Sequence, residues 1–452
     1  MAKLVPIVKN PWFDGFQSEN DYLKSGIIPI EPMTAKELME KDLPLAWNSP
    51  DFIVEQKIDG VRGMLHFMPA SSEVHRPHCR IFSRRVSVKT GFYAEKSDVV
   101  THLRDIEIVQ LCGTVIDGEM TVPHKDFKTV SSILNCLPQE AFERQRTEGK
   151  VCFRVFDVVY YKGKYVGDLS LIERKEILSK IMKVLKENGV SNNYIREIPF
   201  IDKPTRFWIA PKWFEMAKKC DKEALQKAVE KAELYKGRYF IVFDREAYFQ
   251  YIVATGGEGV MVKDKNSIYE QKRTRAYQKI KKKVYRDVVI VGFTEPTKEY
   301  EGKFPKDHWD YWVDEDDKVI KPVNVPASEM LEKGFTPVTK NYWLGLIGGI
   351  KYGVLVDSDI REKLEKSKKK FEFVEMAGVS ELCFVVVGEC EGIDDDLRKD
   401  MTERKEEYMW TVFEVEGNEI FTDTGKIRHP RYYRARDDKI AVYCTWENHI
   451  NL

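Results

Sequence analysis

A chain of 452 residues is long enough for two or three domains and a sizeable core. Its 73 Lys+Arg balance 73 Asp+Glu, so no global field draws it to nucleic acid or membrane, and any electrostatic surface must be local. A 43% apolar, 12% aromatic composition excludes a disordered chain, and eight cysteines without one C-x-x-C pair argue against a zinc site or a disulfide framework.

The N-terminal "MAKLVPIVKNPWFDGF" lacks the apolar core of a signal peptide. No apolar run approaches the roughly 20 residues that span a bilayer, so a soluble, cytoplasmic protein is expected. Residues 1–50 are Pro-punctuated and read as a lead-in. From 51 to about 165 the pattern is mainly β, in "DFIVEQKI", "GVRGMLHF", "CRIFSRRV", "GTVIDGEMTV" and "VCFRVFDVVYY". A helix is expected over 169–189, where apolar residues recur every three or four positions before Gly189.

Residues 190–250 read as a largely helical insertion, with amphipathic helices in 211–237, before strand-like "RYFIVFD" and "GEGVMVKD". A run of eight Lys/Arg and no acid follows at 271–286. Short strands with Gly-rich turns then begin at "DVVIVGF" and continue in "YWLGLIGGIKYGVLVD", "LCFVVVGEC", "YMWTVFEVEGNEIF" and "IAVYCTWEN", which suggests a small barrel. The boundary falls near Lys283–Arg286, giving domains 1–284 and 285–452. The charged segments 359–372 and 393–408 read as solvated surface helices.

The chemistry starts at "KIDGVR", where Lys57 precedes an Asp-Gly turn and Arg62. By itself this is a strand-end lysine before a common turn. Six further elements follow in order: "FSRR" (82–85), "IDGEM" (116–120), "FRVFDVVYY" (153–161), "EGVMVK" (258–263), "AYQKIK" (276–281) and "RHPRYYRARDDK" (428–439). The set resembles the covalent nucleotidyltransferases, and most closely the ATP-dependent DNA ligases of the small bacteriophage and viral type.

The residues suit that chemistry. An attacking lysine amine must be neutral, yet its free pKa of about 10.4 leaves it protonated at pH 7. Burial beside the cations Lys263, Lys279 and Lys281 is expected to lower it, and the same cations can stabilise charge on transferring phosphates. Glu119 and Glu258, each beside a glycine, are candidate carboxylates for a divalent metal (Mg2+ or Mn2+) or for the ribose.

The resemblance implies further roles. Phe156 stacks on adenine, Glu55 contacts its amino group, and Arg62 and Arg84 hold ribose and phosphate. Arg436, Asp438 and Lys439 form the R-x-D-K that orients the pyrophosphate leaving group. The implied fold is α+β: a nucleotidyltransferase (adenylation) domain of antiparallel sheets with flanking helices, followed by an OB-fold β-barrel domain. The implied reaction seals nicks in duplex DNA with ATP through a lysyl-AMP intermediate, the partner being nicked duplex DNA, with no membrane and no second copy. RNA ligases and GTP-dependent mRNA-capping guanylyltransferases share several of the elements. A non-catalytic nucleic-acid-binding scaffold would be expected to have lost Lys57 or its neighbours. The stretches 190–250 and 294–342 are longer than a minimal ligase requires, and either could touch DNA.

Overall fold

A computed structural model describes residues 30–71, 74–86, 93–321, 325–376 and 382–451; most of the lead-in lies outside the described residues. The chain divides into two compact units between Lys281 and Lys282.

The first unit contains, in chain order, β1 (Phe52–Gln56), β2 (Val61–Met68), β3 (His78–Val86), β4 (Val115–Thr121), β5 (Cys152–Tyr161), α1 (Leu171–Glu187), β6 (Thr205–Ile209), β7 (Glu233–Tyr235), β8 (Arg238–Phe243), β9 (Gly259–Asp264) and β10 (Arg273–Lys281). One sheet runs β3-β2-β4-β5, extended at its edges by short strands; a second runs β10-β9-β1. Thr34–Glu37 pairs parallel to β10, and Phe200–Ile201 pairs antiparallel to β1.

Both faces of β1 are covered, which explains its unbroken apolar run. Val54 enters one core cluster with Ile201, Phe243 and Val262, while Ile53 enters another with Met33, Met64 and Tyr277. Helix α1 begins at a capping box in which Ser170 and Glu173 satisfy each other's backbone N–H groups. Its buried stripe is Leu171, Arg174, Lys175, Leu178, Ile181 and Leu185. The leucines and Ile181 close the core under β4 and β5; the two cations have a separate role at the site.

The expected helical insertion is mixed. Helices Pro211–Lys218 and Glu223–Glu230 form there, but so does an antiparallel sheet of order β6-β8-β7. Its hairpin turns at Lys236-Gly237, both with positive φ (46° and 77°), a geometry that matches strand twist and suits glycine at the second position.

The second unit contains β11 (Val284–Thr294), β12 (Gly349–Val356), β13 (Cys383–Cys390), β14 (Val412–Gly417) and β15 (Arg431–Ala435), in the order β13-β12-β11-β14-β15. A bridge between Glu391 and Arg431 brings the start of β15 back beside the end of β13. The stretch "IAVYCTWEN", read as a strand, is instead a 3-10 turn (Ala441–Tyr443) and a helix (Trp446–Ile450). Thr445 caps that helix by accepting from Asn448 N–H, and Trp446 is buried in the unit's core. Local capping chemistry here outweighs β propensity. Residues 294–342 supply a small module built on the buried ring of Trp312 with Ala327 and Met330. Among the described residues, no helix is long and apolar enough to cross a membrane.

Candidate active site

Strand periodicity assembles the site. In the β1-β9-β10 register, Glu55 lies opposite Met261, Met261 opposite Lys279, Lys263 opposite Tyr277, and Gly259 opposite Lys281. Side chains alternate along a strand, so these residues share one face of the sheet. That face, together with residues of β2, β3, β4 and β5, bounds a cavity of about 610 Å³, within the range of roughly 300–1,000 Å³ usual for small-molecule sites. Lys57, Glu55, Arg62, Arg84, Glu119, Phe156, Lys263, Lys279 and Lys281 all line it.

Lys57 sits one residue beyond β1, and its backbone N–H donates to Gly259 C=O at 2.9 Å. Two glycines make that approach possible. A Cβ at Gly259 would lie 2.1 Å from Ile280 O, and one at Gly60 would lie 2.4 Å from Met120 O and 2.8 Å from Glu119 Cγ. The Asp-Gly turn therefore has a steric reason: it presses the Lys57 loop against β4 at the position of Glu119.

The Lys57 amine is ion-paired with Glu258, whose other carboxylate oxygen lies 3.4 Å from Lys281 Nζ. Glu258, expected at a metal or ribose, has two lysines as its partners. Burial, aided by Lys281 and Lys57, lowers the affinity of the Lys279 amine for its proton.

Glu55 is almost inaccessible. Its carboxylate pairs with Lys175 of α1 and, at 2.6 Å, with Lys263 of β9. Lys175 also donates to the Phe156 C=O at 2.7 Å. Burial lowers the pKa of Lys263, and Glu55 works against that fall. Phe156 owes its direction to a β-bulge. Asp117 pairs with Asp157 and Gly118 with Val155, which leaves Phe156 unpaired between them, and its ring lines the cavity. Its neighbours Val155 and Val158 are fully buried core. Arg62 and Lys263 each place a cation 4.5 Å from the Phe156 ring centroid.

Two buried networks hold these groups. Arg62 donates two hydrogen bonds of 2.6 Å to Asp117, and a third of 3.0 Å to Met33 C=O; Tyr269 Oη donates to the same carboxylate at 2.6 Å. Arg174 Nε donates to Asp157 at 2.8 Å, and Tyr277 Oη donates to that carboxylate too. Burial alone would raise the pKa of Asp157, but Arg174, Lys263 and Tyr277 hold it down to about 2. Glu119, register partner of Arg62, has its carboxyl pushed up to about 7 by burial, against the pull of Arg62, Lys57 and Arg84.

In the second unit, Arg436 makes two hydrogen bonds of 2.8 Å to Asp438 and one of 2.7 Å to Asp287, which also pairs with Lys439. Asp438 remains largely exposed. Lys283, in the basic run, pairs with Glu416 at 3.0 Å.

The sequence reading missed Lys175, Arg174 and Asp117. A signal for the first two was available: charged residues at 174 and 175 occupy the spacing of the apolar stripe of α1. Among the described residues, no three His, Cys, Asp or Glu side chains converge on one point as a metal cage. Magnesium nucleotides need no such cage, since one or two carboxylates plus the substrate's phosphates suffice. Of the two carboxylates on the cavity wall, Glu55 is taken up by Lys175 and Lys263, and the partly buried Glu119 fits that requirement.

Residues 32–207 match the family described as "ATP dependent DNA ligase domain". The matched segment contains Glu55, Lys57, Arg62, Arg84, Glu119 and Phe156, so this part of the chain is similar to the ATP-dependent DNA ligase domain. DNA ligase 4 of Emericella nidulans is 25% identical over 174 residues, which is 36% of this chain and 17% of that protein. The SPbeta prophage-derived DNA ligase-like protein LigB of Bacillus subtilis is 24% identical over 270 residues, 59% of this chain and 72% of the relative. A solved structure of a Lig E DNA ligase is 13% identical with a TM-score of 0.46, covering 90% of this chain and 100% of that one. The match takes in about a sixth of the DNA ligase 4 relative's length.

Proposed function

We propose that the chain is an ATP-dependent DNA ligase that joins a 5′-phosphate to a 3′-hydroxyl at nicks in duplex DNA. The observation that carries this reading is the Lys57 amine at a cavity of nucleotide size, flanked by Lys279 and Lys281 and held by the carboxylate of Glu258. In the first step, Lys57 Nζ attacks the α-phosphate of ATP; the N–P bond forms, the α–β bridging bond breaks and pyrophosphate leaves. Glu258 is the proton acceptor already in contact with the amine, which makes it the base for this step. Lys279 and Lys281 then stabilise charge on the phosphates.

AMP passes next to the 5′-phosphate of the nick, and the 3′-hydroxyl finally displaces it. Division of one condensation into covalent stages is the gain a nucleophile gives. Arginine at 57 could not serve, because a guanidinium stays protonated. Phe156 stacks on the adenine and Glu55, fixed by Lys175 and Lys263, accepts from its amino group. A divalent metal such as magnesium, held by Glu119 and the nucleotide phosphates, would offset phosphate charge.

The second unit reads as an OB domain, because its strand order with the Glu391–Arg431 return is that of a five-stranded Greek-key barrel. Arg436, Asp438 and Lys439 are assigned to orienting the pyrophosphate.

The test is incubation with magnesium and α-labelled ATP or GTP, a denaturing gel, and a chase with nicked duplex. ATP label that survives denaturation and leaves on nicked DNA is the expected result. GTP label, label discharged only by RNA, or no label would overturn it.

A further inference from the structure

We infer that the outer face of the β6-β8-β7 sheet is a second nucleic-acid contact, a platform for one phosphodiester strand of about four nucleotides. The register puts Arg206 opposite Val242, Trp208 opposite Phe240, Glu233 opposite Phe240, and Tyr235 opposite Arg238. By alternation these side chains share one face. The other face, with Ile209, Ile241 and Phe243, is buried in the cluster that holds Val54 and Val262 of the site's own sheet. One face is therefore welded to the strand that precedes Lys57, and the other stands in solvent.

That outer face is not an ordinary surface. Trp208 is 51% exposed and Tyr235 55%, and the Trp208 ring lies 4.5 Å from Phe240 and 5.8 Å from Tyr235 by centroid. Contiguous exposed aromatics of this kind mark binding faces. Cations ride on them: Arg206 is 5.2 Å from the Phe240 ring, and Lys236 is 5.3 Å from the Tyr235 ring. The face thus presents Arg206, Arg238 and Lys236 against one carboxylate, Glu233. Residues 203–238 carry ten Lys/Arg and five Asp/Glu in a chain with net charge zero.

Charge complementarity selects the occupant. Rings interleaved with cations suit sugars, bases and phosphates, whereas a second copy of this chain would bring the same positive face. Arg206 and Arg238 lie at opposite ends of the face, four residues apart along β8 by register. At about 3.3 Å per residue this is about 13 Å, the axial rise of about four nucleotides. The 294–342 module is the poorer candidate, with eleven Asp/Glu against seven Lys.

The inference rests on the ligase reading for its substrate, and the test separates the two. Fluorescence anisotropy of a nicked duplex, and separately of a single strand of equal length, would be measured with the full chain, with R206Q/R238Q and with W208A/F240A. Self-adenylylation by ATP serves as the control that each variant folds. Expected are binding at least fivefold weaker for each variant on one of the two nucleic acids, quenching of Trp208 emission in the parent, and a salt slope reduced by about 2 in R206Q/R238Q. The arm that weakens identifies the strand. Unchanged affinity and slope on both nucleic acids, in variants that still self-adenylylate, would overturn the platform and leave the ligase reading standing. Loss of self-association instead of nucleic-acid binding would overturn it in favour of a protein interface. A parent that neither labels nor binds either nucleic acid would overturn both.

Discussion

Lys175, on α1, closes an ion pair on Glu55, two residues before Lys57, and both side chains are only 2% exposed. A helix cation thereby fixes the carboxylate assigned to the adenine. Lys175→Met should leave Glu55 on Lys263 alone. Removal of one partner of a buried pair costs up to about 3–5 kcal/mol, and the remaining lysine places the expected loss near the low end. The functional effect should be a KM for ATP in self-adenylylation raised about tenfold, with Lys175→Arg intermediate. Thermal unfolding together with the ATP dependence of labelling checks this; an unchanged KM in a destabilised protein would leave Lys175 a purely structural residue.

Glu258 supplies a second expectation. Lys57→Ala and Lys57→Arg should abolish covalent labelling. Glu258→Gln keeps the shape but removes the proton acceptor, so labelling should slow about 10²–10⁴-fold, the usual weight of a positioned base. The residual rate should rise with pH as bulk base takes over. A Glu258→Gln rate equal to the parent's at every pH would mean the ion pair only parks the lysine.

Much of this site can be read from sequence because it lies on strands whose period is two. Lys263, Tyr277, Lys279 and Lys281 fall on alternate positions, so their common face follows once their strands are recognised. Phe156 could be assigned only through a resemblance, since the bulge that turns it inward has no local sequence mark. Lys175 and Asp117 depend on contacts to Glu55 and Arg62 across 120 and 55 residues of chain, which no local pattern encodes. The "IAVYCTWEN" error had a local cause: β-rich composition concealed a Thr cap.

The R-x-D-K element makes a third prediction. Asp438 is tied to Arg436 while Lys439 is tied to Asp287, so the two tips can be altered one at a time. If they serve pyrophosphate departure, Asp438→Ala and Lys439→Ala should reduce self-adenylylation about 10²-fold or more yet spare sealing of a pre-adenylylated nick. Comparison of the two assays on one preparation decides it. Equal losses in both would show that the R-x-D-K element acts in every step.

The last prediction concerns acid stability. His66, on β2, is 3% exposed, lies opposite Arg80 in the register, and packs edge-on to Phe82 at 5.3 Å. Its Nδ1 finds no hydrogen-bond partner among the described residues. Burial, and then the charge of Arg80, push its pKa down to about 3, whereas an unfolded histidine titrates near 6.5. Between those values the unfolded chain binds a proton that the fold refuses, so stability must rise with pH through that window. The contribution is complete above about pH 6.5 and declines by about 1.4 kcal/mol per unit below it, levelling off near pH 3. At pH 5 the protein should therefore be about 2 kcal/mol less stable than at pH 7 from this residue alone. His66→Leu removes both the titration and the unpaired nitrogen while keeping an apolar side chain, so it should flatten that part of the profile. Urea unfolding of parent and variant at pH 7, 6 and 5 measures the difference. Parallel profiles would mean that His66 is protonated in the fold after all, with its charge carried by a contact that burial and Arg80 do not suggest.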